Sequence, residues 1–124
     1  VSRRRFLPQR YGRFRLRVWR IVAAIPRGKV MTYGGIAGLI PKPADMAEAS
    51  YRRVRARWVG YALAQCPEDL PWQRVVNAQG GISPRLGHGP HVQKLLLRRE
   101  GVHLGRDGRI VLARYLWRGA RTPA

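Results

Sequence analysis

The sequence predicts a mostly α fold with small β-hairpins, organised around a helix-turn-helix of winged-helix-like form. Three observations carry this expectation: apolar residues recur at helical spacing in three stretches, Thr32 and Ser50 stand where helices would be capped, and Gly-containing turns separate short β-prone runs. At 124 residues the chain is one domain's worth, large enough to bury a core without disulfide or metal. Its one cysteine, Cys66, rules out an internal disulfide framework and fits a reducing compartment.

Residues 1–12 carry four Arg and a Pro with little apolar periodicity, so they read as a poorly ordered basic arm. From Arg13 to Ile25 the residues Leu16, Trp19, Ile21, Val22 and Ile25 predict a helix packed on the core, stopped by Pro26 and Gly28. Thr32 would cap a short helix from Tyr33 to Ile40, which Pro41 and Pro43 end. Ser50 would cap another from Tyr51 to Gln65, with Val54, Trp58, Tyr61 and Ala62 as its apolar stripe and Arg52, Arg53, Arg55 and Arg57 near its start. These two helices form the helix-turn-helix candidate, joined by a loop longer than the usual tight turn. Further on, "RVVNAQGGI" reads as a strand, a turn and a return. Val92–Arg99 reads as a helix stopped by Gly101, and Asp107-Gly108 as a hairpin turn. The expected layout is a domain over 13–118 with a tail at 119–124.

The formal charge of +19 comes from 25 basic residues against 6 acidic ones, and all but three of the basic ones are Arg. Such a bias attracts a polyanion, and Arg adds planar bidentate hydrogen bonding to phosphate. Nucleic acid is the default partner, with genome bias or thermal adaptation as the competing account of the composition. No stretch approaches the roughly 18 apolar residues that would span a bilayer, so a cytoplasmic protein with no membrane partner is expected.

Four stretches in order, "VWRIVAAIPRGKVMTYGGIAGL", "ARWVGYAL", "PWQRVVNAQGGIS" and "LLLRREG", resemble the C-terminal, DNA-binding domain of the O6-alkylguanine-DNA alkyltransferases. The transferases carry a Pro-Cys-His-Arg motif whose cysteine accepts the alkyl group; here it reads Pro71, Trp72, Gln73, Arg74. That substitution, with "RYLW" near the C-terminus, resembles the alkyltransferase-like proteins, which bind alkylated guanine without repairing it. The resemblance covers roughly residues 16 to 117.

Alkyl removal from guanine O6 needs a thiolate activated by a base or a positive neighbour. Trp72 offers no such nucleophile, and the neutral amide of Gln73 cannot take a proton. No catalytic residue and no cofactor are therefore expected. Glu100 matches the glutamate behind the transferases' cysteine, and its expected part here is to tie the last helix to the turn or to a neighbouring Arg.

What the resemblance implies instead is machinery for rotating a base out of the duplex. Arg57 matches the arginine finger that replaces the flipped base in the stack, and Tyr33 the tyrosine that pushes the 3′ phosphate round. The implied DNA-binding set is Thr32, Tyr33, Gly34, Ala56, Arg57 and Gly60, with the second helix of the helix-turn-helix in the minor groove. The implied base pocket comprises Tyr33, Trp72, Val75, Ser83 and Arg85, where an indole contacts the alkylated base by dispersion and a guanidinium stacks on it. The implied partners are duplex DNA containing O6-alkylguanine and nucleotide excision repair proteins, and a monomer is expected, nucleoid-associated when bound.

Two rival readings stay open on residues alone. One is an enzyme, with Cys66 as a displaced acceptor or with His88, His91 and His103 as metal ligands; a small apolar role for Cys66 and phosphate-contacting histidines are favoured, so no metal is expected. The other is a sequence-specific or architectural regulator with an ordinary major-groove helix-turn-helix.

Overall fold

The computed structural model describes residues 9–82 and 90–119. Five helices and a two-stranded sheet occupy them: α1 Gln9–Ala24, β1 Met31–Thr32, α2 Tyr33–Gly38, α3 Glu48–Ala64, β2 Val75–Val76, α4 Pro90–Arg99 and α5 Leu112–Tyr115, with a 3-10 turn at Trp72–Arg74 before β2.

Helix α1 begins at Gln9, earlier than the basic arm was expected to end, because Tyr11 is already core. Tyr11, Phe14, Val18, Val22 and Ile25 form its buried stripe. Leu16, expected in that stripe, is half exposed, since it lies off the face that Phe14 and Val18 define. Tyr11 and Phe14 meet Trp58 of α3 edge to face at 5.7 and 5.3 Å, and the Trp19 indole N–H donates to the carbonyl of Ala62 at 2.8 Å.

Thr32 caps α2 as its sequence position predicts: its Oγ1 accepts from the Gly35 N–H at 2.9 Å. The helix ends at Gly38, and the Tyr51 hydroxyl donates to the Ile40 carbonyl at 2.6 Å, fastening the chain after α2 to α3. Helix α3 starts at Glu48 with Ala47 as its cap, so Ser50 lies inside the first turn rather than capping it. Glu48 supplies the negative charge that a helix start favours. Tyr51, Trp58, Val59, Ala62 and Leu63 are buried along α3, whereas Tyr61, expected in the stripe, is 45% exposed.

Strands β1 and β2 pair in parallel, Met31 with Val75 and Thr32 with Val76. The expected "VVNAQGGI" hairpin is therefore only half formed among the described residues. Asn77 Oδ1 accepts from the N–H groups of Gln79 and Gly81, closing the turn, but the Gly80 carbonyl accepts from Ile110 instead of from a return strand. The Asp107-Gly108 hairpin is present as a single antiparallel bridge between Leu104 and Ile110. Helix α4 ends as predicted at Gly101: with φ +87° there, Val102 N–H reaches the Leu97 carbonyl and Gly101 N–H that of Arg98. The main core lies between α1, α2 and α3 and takes in Trp72; a second cluster joins Val30, Val76, Leu97, Val102, Ile110 and Tyr115.

Candidate nucleic-acid interface

Along α3 the spacing that buries Trp58, Val59 and Ala62 turns Arg57, Tyr61 and Ala64 outward, and with Gly60 they line a shallow cavity of about 330 Å3. Ala56 and Ala64 are exposed on this side of the helix, whereas Gly60 is buried and forms the floor of the cavity, so the face carries little side-chain bulk between Arg57 and Tyr61. Arg52 and Arg53 are exposed nearby, and Arg55 lies over the Tyr51 ring at 5.8 Å. At the start of α2, Thr32 and Tyr33 are half-buried and Gly34 is exposed. Tyr33 packs against the main core, which also contains Trp72 and Met31.

Trp72 is buried, 7% exposed, at the head of a turn fixed from several sides. The Arg74 N–H donates to the Pro71 carbonyl at 3.0 Å, and Gln93 of α4, itself 1% exposed, donates its amide to the carbonyls of Gln73 and Val75 at 3.0 and 2.9 Å. Glu100 is the hub: its Oε1 accepts from Arg74 Nε at 2.9 Å and from the Gly28 N–H at 3.1 Å, and its Oε2 accepts from Gln73 Nε2 at 2.8 Å. Arg74 also donates to the Ile25 carbonyl at 2.7 Å. Burial opposes ionisation of Glu100 more than any other single influence, yet the hydrogen bonds from Arg74, Gly28 and Gln73 together outweigh it. They hold the carboxyl below its ordinary pKa. Glu100 thus ties the end of α4 both to the turn and to Arg74, the role its sequence position suggested.

The chemistry of this turn excludes alkyl acceptance. Trp72 has no nucleophilic atom, and the Gln73 amide is committed as a donor to Glu100. At Cys66, burial and then the charge of Asp69 push the thiol up to about 11, the opposite of the activated thiolate that an acceptor needs. Among the described residues no three His, Cys, Asp or Glu side chains gather as a metal site, and His91 and His103 are exposed. His88 lies outside the described residues, as do Ser83 and Arg85 of the expected base pocket. Val75, expected in that pocket, is fully buried; its N–H donates to the Trp72 carbonyl and its own carbonyl accepts from Gln93, so its part is to hold the turn.

Three residues of this region escape a reading of the sequence. Gln93 looks like an exposed polar residue of a helix, although it shares a face with Leu97 and Glu100, four and seven residues on, and that spacing was its available signal. Arg74 stands out as the last residue of the Pro-Trp-Gln-Arg motif, but its bond to the Ile25 carbonyl leaves no signal in the sequence. Tyr61 reads as core because it is aromatic.

Residues 13–102 match the family model of the 6-O-methylguanine DNA methyltransferase DNA-binding domain. Alkyltransferase-like protein 1 of Schizosaccharomyces pombe is 37% identical over 116 residues, 88% of this chain and 98% of that one. The chain belongs to the alkyltransferase-like family. Another member it resembles, the DNA base-flipping protein of Escherichia coli, is 44% identical over 108 residues, 84% of this chain and 74% of that protein. The crystal structure of S. pombe Atl1 with damaged DNA containing O6-carboxymethylguanine superposes with a TM-score of 0.65 at 36% identity, covering 86% of this chain and 95% of that one. The O6-methylguanine methyltransferase of Mycobacterium tuberculosis matches at a TM-score of 0.54, over 70% of this chain and 47% of its own. Where an alkyl acceptor would need a thiol, this turn carries the Trp72 indole. No helix among the described residues is long and apolar enough to cross a membrane.

Proposed function

We propose that this protein recognises O6-alkylguanine in duplex DNA, rotates the modified nucleotide out of the stack and holds it without removing the alkyl group. The observation that carries the reading is the turn at Trp72: a hydrogen-bonded frame of Glu100, Arg74 and Gln93 fixes an indole that cannot react. A frame this fixed serves recognition, because a preorganised pocket loses little on binding. In this reading α3 lies in the minor groove, with Ala56 and Gly60 close to the backbone, Arg57 filling the gap in the stack, and Thr32, Tyr33 and Gly34 turning the adjoining phosphate. Trp72 and Arg85 then contact the extruded base, with Ser83 and backbone groups near Val75 beside it. The S. pombe relative's structure with DNA containing O6-carboxymethylguanine supports the choice of ligand, and a second structure of it with DNA supports the duplex partner. Since the chain cannot remove the lesion, the bound complex has to be passed on, and nucleotide excision repair is the consumer we infer. The protein works as a monomer in the cytoplasm, on the nucleoid when bound.

The test is a titration of the wild type and Arg57→Ala against matched duplexes carrying guanine or O6-methylguanine, with the protein's mass measured afterwards. Tighter binding to the modified duplex, loss of most of that preference in Arg57→Ala and an unchanged mass are the expected results. Equal affinity for both duplexes would favour a regulator, and a gain of one methyl group in mass would make the protein an enzyme.

A further inference from the structure

Between the first half of α1 and the segment 40–45 that follows α2 lies a cavity of about 400 Å3, and none of its lining residues belongs to the α3 face or to the Trp72 turn. Its cationic side is formed by Arg13, Arg17 and Lys42, against one acid, Asp45. Its apolar side is formed by Pro41 and Pro43 over the buried Phe14 and Ile40. The walls are built rather than accidental. Lys42 Nζ donates to the carbonyls of Pro43 and Met46 at 3.1 and 2.7 Å, the Met46 N–H returns to the Pro43 carbonyl at 3.1 Å, and the Tyr51 hydroxyl holds the Ile40 carbonyl. Phe14 is fixed from below, edge to face with Tyr51 at 6.3 Å.

The size falls at the lower end of ordinary ligand pockets, room for one large side chain and its neighbours. A phosphate backbone would use the cations but gains nothing from two proline rings. An acidic peptide with one bulky apolar residue satisfies both sides. We propose that this groove docks an acidic segment of a partner protein, with its apolar anchor against the Pro41 and Pro43 rings and its carboxylates on Arg13 and Arg17. Because the groove shares no residue with the DNA face, the partner can sit on the protein while DNA is bound. The inference does not depend on which base the other face reads.

The probes are two fluorescein-labelled peptides, Asp-Glu-Phe-Glu-Asp and the same sequence with Ser for Phe, titrated against the full chain at physiological salt. The Phe peptide is expected to bind about tenfold more tightly than the Ser peptide and to shift the amide resonances of residues 13–17 and 40–46. Arg17→Glu is expected to weaken it about tenfold. Ala44→Trp, which fills the groove without changing its charge, is expected to weaken it as much while duplex affinity stays within about twofold. A melting curve for each variant confirms that the fold persists. Equal binding of the two peptides, or resonance shifts spread along α3, overturns the proposal in favour of unspecific attraction to a basic surface. Loss of duplex affinity in Ala44→Trp overturns it by placing the groove on the DNA track.

Discussion

Arg74 and Arg57 are the same side chain in opposite circumstances. Arg74 is largely buried, its Nε held by Glu100 and its Nη1 by the Ile25 carbonyl. Arg57 stands exposed on α3, in a face of small residues. A guanidinium removed from water has to be paired, so Arg74 fixes the geometry of the protein itself. One left in water keeps its donors for a ligand and carries almost no folding energy. The rigid half of the interface is thus the one that would read a base, and the adaptable half the one that would enter the stack.

The contrast breaks most visibly at Glu100. Glu100→Ala leaves Arg74 buried without its counter-charge and is expected to destabilise the fold by about 3–5 kcal/mol in urea unfolding. A loss below about 1 kcal/mol would show that water reaches Arg74 freely. Next comes Gln93→Leu, which strips a donor from two carbonyls of the turn and is expected to cost about 1–3 kcal/mol. Its tryptophan emission should change too, as the Trp72 turn loosens.

The acid limb of stability sharpens the same point. The folded pKa of Glu100 lies below its ordinary value of 4.5, so the unfolded chain takes up its proton first. The stabilisation is complete above about pH 4.5 and is lost as pH falls through the lowered folded value. Glu100→Gln is expected to flatten that limb, and an acid limb as steep as the wild type's would remove Glu100 as its source. The smallest effect belongs to Arg57→Ala, whose stability should stay within about 0.5 kcal/mol of the wild type while lesion preference falls. A larger loss of stability would mean that Arg57 is structural, and the comparison with Arg74 would collapse.

The helices were legible because helical spacing is a local signal: α1, α3 and α4 lie where the apolar pattern puts them. Their ends were less so. Tyr11 draws α1 back to Gln9 by packing on Trp58, a contact between distant segments that no window of sequence displays. Leu16 and Tyr61 were misplaced for a related reason, since hydrophobicity says what could be buried and only the neighbouring helix decides what is. Thr32 and Gly101 were readable because capping depends on a few adjacent backbone groups. At the site, Trp72, Gln73 and Glu100 were visible through motif and chemistry. Gln93 was not, because its two acceptors come from the far side of the turn.

The parallel pairing of Val30–Thr32 has a consequence in time as well as in space. That short segment meets Val75–Val76 through the sheet, and Val30 also bridges to Leu116, with the Trp117 N–H donating to its carbonyl at 2.8 Å. Tyr33 begins immediately after it. On the ribosome, the stretch that sets Tyr33 therefore waits for residues made long afterwards, and the nascent chain cannot finish this end of the molecule until Trp117 has emerged. Contacts so far apart in sequence are slow to close. The recognition surface is expected to mature as one of the last events of folding, so that a half-made chain presents its basic helices to DNA before it can grip a base.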